Sequence, residues 1–372
     1  MSYELLFSDR AEIERVQRDH FRTTLALAAE RHPHYRELFA SRGLAAGDFA
    51  ELADIARLPL TTKQEYMAAP ERFVLDTAGL DEEMRVVWDT MYTTGSTAGK
   101  PTPFVSTAFD FYDILSLQRN MLLLRGVRRD DVIANLFPLT RAPHGAWIRA
   151  LHAAASLSVR TVAAMPGNPS PHLHVGNATD EVVKIIESSR ATILWGVPSY
   201  LARLAERAGE LGADWRTVRM LFVTGEGLTE AARDALVAAL ARVGAQAKVS
   251  ISYGSTELQG GMIECAPGAG YHNPAPEQAL IEIVDPQTHA PLPDGEPGLV
   301  VLTHLRRRGT LLLRYSLGDI STRSRTRCPH CGAWTDRLTT MPRRVDALVK
   351  IKGICWPPRS WRSRAPWWPP PR

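Results

Sequence analysis

The sequence predicts an α/β fold, with a large N-terminal domain of parallel-type sheets flanked by helices and a small β subdomain after it. Three observations predict it. Between residues 180 and 257, helical and strand-like patterns alternate, as a parallel sheet requires. Each strand in that stretch ends in a polar glycine turn, at the end where open α/β sheets bind ligands. From residue 279 the texture changes to short apolar strands and turns with no long helix between them. A chain of 372 residues is long for one domain, and its 45% hydrophobic content supports a sizeable core.

Residues 10–42 give one or two amphipathic helices, with Ile13, Val16, Phe21, Leu25 and Leu27 near helical spacing, and H-P-H-Y at 32–35 breaks that run. Residues 58–63 form a loop entering a short helix. Residues 85–92, R-V-V-W-D-T-M-Y, make an apolar strand that feeds into a glycine- and hydroxyl-rich loop. Residues 107–125 are helical in pattern, and D-V-I-A-N-L-F at 131–137 is strand-like. Residues 181–189 are helical, and strand 191–195 ends in Gly196-Val197-Pro198. Ser199 N-caps a helix over 199–208. Strand 218–223 ends in Thr224-Gly225-Glu226-Gly227, helix 229–243 follows, and strand 248–252 ends in Tyr253-Gly254-Ser255-Thr256-Glu257. Beyond 279, A-L-I-E-I-V-D, G-L-V-V-L-T and T-L-L-L-R-Y-S are strands separated by turns such as Pro293-Asp294-Gly295 and Arg308-Gly309.

The bulk properties exclude several classes. The formal charge of +4 is mild, and no basic stripe with interleaved aromatics argues for nucleic acid. The opening M-S-Y-E-L-L-F-S-D-R lacks a charged region followed by an apolar run, so no secretory signal is expected. No apolar stretch of about 18 residues predicts a membrane span. Four cysteines in a chain of this size argue against a disulfide scaffold and for a reducing, cytoplasmic setting.

The chemistry is organised around M-Y-T-T-G-S-T-A-G-K-P-T-P at 91–103. Thr93, Thr94, Ser96 and Thr97 offer hydroxyl donors. Gly95 and Gly99 let backbone N–H groups turn toward an anion, and Lys100 adds a point charge. The loop suits a polyphosphate but is no GxxxxGK[ST] P-loop, because Thr94 stands where the first glycine belongs and Pro101 replaces the Ser/Thr. Plain turn chemistry is the alternative. Glu257 suits a Mg²⁺ that bridges phosphates, Asp319 in R-Y-S-L-G-D suits ribose hydroxyls, and Arg344 suits a phosphate. A solvated turn charge is the alternative for each, and for a lone acidic residue in a turn it is the favoured one.

Five segments in order, Y-T-T-G-S-T-A-G-K-P, G-E-G-L, Y-G-S-T-E, R-Y-S-L-G-D and R-R-V-D-A-L-V-K-I-K-G, resemble the motifs of the adenylate-forming superfamily. That superfamily includes acyl-CoA synthetases, luciferases and peptide-synthetase adenylation domains. The start of the chain, the E-C…G-Y-H segment and C-P-H-C resemble its phenylacetate–CoA ligase and coenzyme F390 synthetase subgroup. The resemblance covers residues 5–354. It implies that Thr93 to Lys100 embrace the ATP phosphates, that Tyr253, Gly254, Ser255 and Thr256 line the adenine and acyl phosphate, and that Glu257 binds Mg²⁺. Gly225 and Glu226 then lie against the adenine, Asp319 takes the ribose hydroxyls, and Arg344 takes phosphate or ribose. His144, in T-R-A-P-H-G-A-W, falls where the family places a residue against the carboxylate substrate; a surface-loop histidine is the alternative. Lys100, Glu257 and His144 are the expected catalytic set. The implied reaction is carboxylate attack on the α-phosphate of ATP, followed by displacement of AMP by CoA, an amine or a carrier protein. It rests on positioning and charge neutralisation. Trp147, Trp195, Val197 and Pro198 suit the wall of an apolar pocket for an aromatic acid, or ordinary core.

Cys265, His272, Cys328 and Cys331 form a second constellation. Cys₃His is a usual structural zinc set. His330, between the cysteines of C-P-H-C, is a competing ligand, redox use of CxxC is the alternative, and Cys355 stands apart.

The expected boundaries are an AMP-binding α/β domain over 1–278, a β subdomain over 279–345, a hinge remnant over 346–354 around Asp346, and a tail over 355–372. The tail holds four Trp, six Pro and four Arg without apolar period. It reads as disordered, arising from out-of-frame translation or truncation, with a proline-rich recognition tail as the alternative. The family's mobile C-terminal domain is then missing, and three readings stand: an acid–CoA ligase of reduced activity, an adenylation protein serving an amine or carrier protein, and an inactive nucleotide-binding remnant. The oligomeric state, homodimer included, is left open.

Overall fold

The computed structural model describes residues 2–92, 101–139, 145–167, 176–345, 349–351 and 354–356. In chain order the strands begin with β1 Val87–Tyr92, β2 Pro103–Thr107, β3 Val132–Asn135, β4 Arg160–Ala163, β5 Ile193–Gly196 and β6 Met220–Val223. There follow β7 Lys248–Ser255, β8 Gly260–Glu264, β9 Tyr271–His272, β10 Ala279–Val284, β11 Gly298–His304 and β12 Tyr315–Ser321. The last are β13 Arg323–Ser324, β14 Arg337–Leu338, β15 Arg343–Arg344, β16 Val349–Ile351 and β17 Ile354–Trp356.

Nine of them form one mixed sheet in the order β13-β14-β9-β8-β7-β6-β5-β3-β4. The half from β4 to β7 is parallel, as the alternation of helix and strand predicts. Its central strands β5 and β6 are apolar and buried along their whole length, as strands covered on both faces are. From β7 onward the sheet turns antiparallel, an extension the short, glycine-broken strands did not announce. A second, four-stranded antiparallel sheet, β10-β11-β12-β15, is built from residues 279–344. The main core joins helix Arg10–Arg31, the parallel strands and β10–β12 through Phe21, Leu194, Leu221, Ile281 and Leu302. No helix among the described residues is long and apolar enough to cross a membrane.

Local chemistry sets the element ends. The first helical region is two helices, Arg10–Arg31 and Pro33–Arg42, split at His32, whose side chain accepts the Tyr35 N–H at the start of the second. Thr62 and Glu65 form a capping box on helix Lys63–Ala68, and Thr107 and Asp110 do so on helix Ala108–Leu124. Thr229 caps helix Glu230–Ala241. Helix Gly145–Leu157 and β4 were not singled out from sequence.

Four expectations need correction. Ser199 is not an N-cap: the helix is Pro198–Glu210, Val197 holds the cap position, and proline's fixed φ favours the first helical site. The strand expected at 248–252 runs on to Ser255, since β8 gives its last four residues antiparallel partners. T-L-L-L-R-Y-S is not one strand: Thr310 makes an isolated bridge to Val74, Leu311–Leu313 are buried, Arg314 has φ of 48°, and β12 begins only at Tyr315. Asp319 therefore lies within a strand rather than in a turn beyond it. At the other end, Ile354–Trp356 pairs with Val349–Ile351, so ordered pairing enters the expected tail by two residues.

Candidate active site

Two side-chain contacts join the end of β7 and the turn beyond it to β12. The Tyr253 hydroxyl donates to Oδ2 of Asp319 at 2.6 Å, and the Tyr315 hydroxyl donates to Oε1 of Glu257 at 3.0 Å. The sequence order runs opposite ways along the two segments, so they face each other antiparallel, side chain to side chain. The two sheets thus meet at the rim where the parallel strands end. Burial, reinforced by Asp319, raises the Tyr253 phenol well above its ordinary pKa; burial, reinforced by Glu257, does the same for Tyr315. Both remain protonated donors at neutral pH.

Arg344 sits opposite Asp319 in the β12–β15 register, with Nε 3.4 Å from Oδ1. Its Nη1 also donates to the Leu317 carbonyl at 2.6 Å. The backbone of Gly318 favours glycine there. Its φ is +74°, and a Cβ would come within 3.1 Å of Arg344 Nη1.

The back of the Glu257 turn is held as firmly. His304 Nδ1 accepts the Leu312 N–H at 3.0 Å, so the proton sits on Nε2, which donates to the Glu257 carbonyl at 2.9 Å. Burial, then Arg307, pushes the His304 pKa down to about 3, so the ring is neutral. Gln259 clamps the other side: its Nε2 donates to the Thr256 carbonyl at 2.6 Å, and its Oε1 accepts from Arg149 Nη2. The same Nη2 reaches Asp89 Oδ2 at 3.2 Å.

These contacts hold β1 and β2, the strands on either side of residues 93–100, beside the Glu257 turn. Asp89 is on β1, which leads into the loop, and Arg149 and Gln259 tie it to Thr256. On β2, which leads out, Tyr66 donates to the Pro103 carbonyl and packs edge-on to Tyr315 at 6.2 Å. Phe104, also on β2, packs edge-on to His304 at 6.0 Å. Thr93, Thr94, Gly95, Ser96, Thr97, Gly99 and Lys100, like His144, lie outside the described residues.

Gly225 and Glu226 fall at the end of β6. Gly225 has φ of +90°. Glu226 accepts the Ser199 N–H at 3.2 Å and the Ser199 hydroxyl at 3.0 Å, supplying the cap that Val197 cannot. A Cβ on Gly254 would stand 3.1 Å from the Gly260 carbonyl oxygen, so β7 and β8 would have to separate slightly to admit one there. Ser255 Oγ accepts the Leu258 N–H at 3.2 Å and shapes the turn before Glu257. Trp147, Trp195 and Val197 pack in one apolar cluster with Phe137 and Phe222. Pro198 starts the following helix.

The cysteine–histidine set comes together. Ligand atoms of Cys265, His272, Cys328 and Cys331 all lie within 4.8 Å of one another. Cys265 and Cys328 sulfurs are 3.8 Å apart, and Cys331 Sγ is 3.7 Å from His272 Nε2. A tetrahedral zinc with Zn–S of about 2.3 Å spaces its sulfurs by about 3.8 Å, so the donor set fits zinc. His330 is exposed and outside the cluster.

His304, Gln259 and Arg149 escaped the sequence reading. Gln259, two residues beyond Glu257, carried a faint signal; the other two lie far away in sequence and gave none.

Parallel strands ending in a rim that gathers hydroxyls, two carboxylates and an arginine define an α/β enzyme fold with its ligand site at the sheet edge. The chain belongs to the AMP-binding enzyme family, whose profile matches residues 90–305. It is 26% identical over 355 residues to a phenylacetate-coenzyme A ligase of Thermus thermophilus, covering 94% of this chain and 74% of that protein. The phenylacetate-coenzyme A ligase of Escherichia coli is 26% identical over 350 residues, covering 92% and 74%. Among solved structures, 2-hydroxyisobutyryl-CoA ligase in complex with 2-HIB-AMP and CoA superposes with a TM-score of 0.79 at 22% identity, over 94% of this chain and 72% of that one. The same ligase in its postadenylation state gives 0.78 at 21% identity, over 95% and 72%. These structures share the fold.

Proposed function

We propose that this chain activates a carboxylic acid, aromatic in class, with ATP and passes the acyl group to coenzyme A. A carboxylate oxygen of the acid attacks the α-phosphorus, pyrophosphate leaves, and the thiol then displaces AMP from the mixed anhydride. The observation that carries this reading is that β1 and β2, the strands on either side of residues 93–100, are tied beside Glu257, with Asp319 on the facing β12 and Arg344 paired to it on β15.

In this reading Thr93 to Lys100 hold the triphosphate, Gly225, Glu226 and Tyr253 to Thr256 border the adenine and acyl phosphate, and Asp319 with Arg344 orients the ribose. Among the described residues, only one oxygen of the Glu257 carboxylate is taken by a hydrogen bond, which leaves the other for Mg²⁺. When bound, Mg²⁺ would neutralise phosphate charge. Relatives named phenylacetate-coenzyme A ligase support both the aromatic acid and CoA. Zinc in the cysteine–histidine cluster would be structural.

ATP–pyrophosphate exchange across a panel of aryl and aliphatic acids tests the reading. Exchange that depends on an aryl acid, with thioester formation once CoA is added, is expected. Tight ATP binding without exchange for any acid overturns acid activation. Exchange without thioester directs the transfer to an amine or carrier protein.

A further inference from the structure

We infer that His304 is a positioning residue for Glu257, holding the acidic side chain where a nucleotide-bound Mg²⁺ meets it. The inference rests on the proposed nucleotide site and adds to it a residue from outside the recognised motifs.

Three observations carry it. First, the ring is buried, and both its nitrogens are committed to backbone partners: Nδ1 to the Leu312 N–H and Nε2–H to the Glu257 carbonyl. A ring bonded at both nitrogens has its tautomer and rotation fixed. Second, the Glu257 carbonyl lies in a short turn whose remaining restraints act elsewhere. Ser255 Oγ holds Leu258, Gln259 holds Thr256, and Tyr315 holds the Glu257 carboxylate. Among the described residues, His304 is the side chain that holds the backbone of Glu257 itself. Third, His304 ends β11, and Phe104 of β2 packs edge-on against its ring. The ring therefore lies between the exit of the phosphate-loop segment and the magnesium turn. Removing its donor frees the Glu257 peptide to rotate while Tyr315 still holds one carboxylate oxygen, which swings the other away from the cleft.

A lost fold and a lost position are separable, because asparagine and glutamine each reproduce one of the two ring bonds. An asparagine amide stands where Nδ1 does and keeps the Leu312 bond. A glutamine amide reaches the Nε2 position and keeps the Glu257 bond. The experiment compares His304→Asn, His304→Gln and the wild type, full-length and zinc-replete. The Mg²⁺ concentration for half-maximal binding of a non-hydrolysable ATP analogue is measured beside thermal stability and metal-free nucleotide binding.

The expected result is a Mg²⁺ requirement raised about tenfold in His304→Asn, the size of one well-placed hydrogen bond, and near wild type in His304→Gln. Metal-free nucleotide binding should be equal in all three. Equal Mg²⁺ requirements in folded His304→Asn and wild type overturn the inference and leave the nucleotide site standing. Loss in both variants in proportion to melting temperature makes His304 merely structural and also overturns it. A wild type that binds the analogue with no Mg²⁺ dependence overturns the nucleotide-site reading and this inference with it.

Discussion

Tyr253 and Asp319 are 66 residues apart in sequence and 2.6 Å apart at their oxygens, and that bond fastens the rim of the nine-stranded sheet to the face of the four-stranded one. Asp319 is buried and faces Arg344 on its other side, so its carboxylate is oriented before any ligand arrives. Preorganisation of this kind lowers the cost of binding. Tyr253→Phe removes one charge-assisted hydrogen bond and little else. We expect ATP affinity to fall about 10- to 100-fold, from about 1.5–3 kcal/mol, with a smaller change in kcat. Calorimetric titration of ATP into the variant measures it; an unchanged Kd would remove Asp319 from the ribose role.

Glu257→Gln tests the magnesium role. Glutamine keeps an oxygen to accept from Tyr315 and a backbone carbonyl for His304, so the turn and fold should persist. Only the charge is lost. Mg-ATP binding should weaken by at least about tenfold while the circular dichroism spectrum and melting temperature stay close to wild type. Binding that is indifferent to the substitution would leave Glu257 a structural acid.

How much of this was legible in sequence depended on distance along the chain. β5 and β6 showed because each is a continuous apolar run closed by its own glycine turn, a local signal. Asp319, Arg344 and Glu257 showed because each lies within a recognisable motif. The antiparallel half of the large sheet did not, since β9, β13 and β14 are two residues long and take their register from partners elsewhere. Ser199 misled for a related reason. A serine beside Pro198 has the composition of an N-cap, but the acceptor is Glu226, 27 residues away. Arg149 gave no local signal. Its role follows from Asp89 and Gln259, which only the fold brings to it.

The zinc reading makes a coupled prediction. Cys328 is buried, and its backbone N–H donates to the Ala333 carbonyl while its carbonyl accepts the Gly332 N–H. The knuckle is therefore shaped before the metal. The Trp334 N–H donates to the Leu6 carbonyl and Asp336 pairs with Arg10, so the first helices dock on the same loop. Cys328→Ser should lower zinc content and melting temperature together, and chelation should bring the wild type to the variant's stability. Wild-type protein purified without chelator and holding less than about half an equivalent of zinc would refute the assignment.

His32 gives a prediction in pH. Its side chain is fully buried between the first two long helices, and its Nδ1 accepts the Tyr35 N–H. Burial pushes its pKa down to about 3, against about 6.5 in the unfolded chain. The native state keeps the ring neutral, while the unfolded state takes up a proton below about pH 6.5, so the unfolded state binds more protons in that window. Stability from this residue is complete above about pH 6.5 and falls as the pH drops toward about 3. At pH 5 the loss is about 2 kcal/mol relative to pH 8. Urea unfolding of the wild type should show a midpoint that drops between those two pH values, beyond the contribution of other groups. His32→Asn cannot titrate, and its amide oxygen stands where Nδ1 does and can still accept the Tyr35 N–H. The variant should begin less stable at pH 8 and lose about 2 kcal/mol less than the wild type on acidification. Parallel pH dependences in the two proteins would mean that His32 is protonated in the folded chain, and the neutral-ring account of the helix junction would fail.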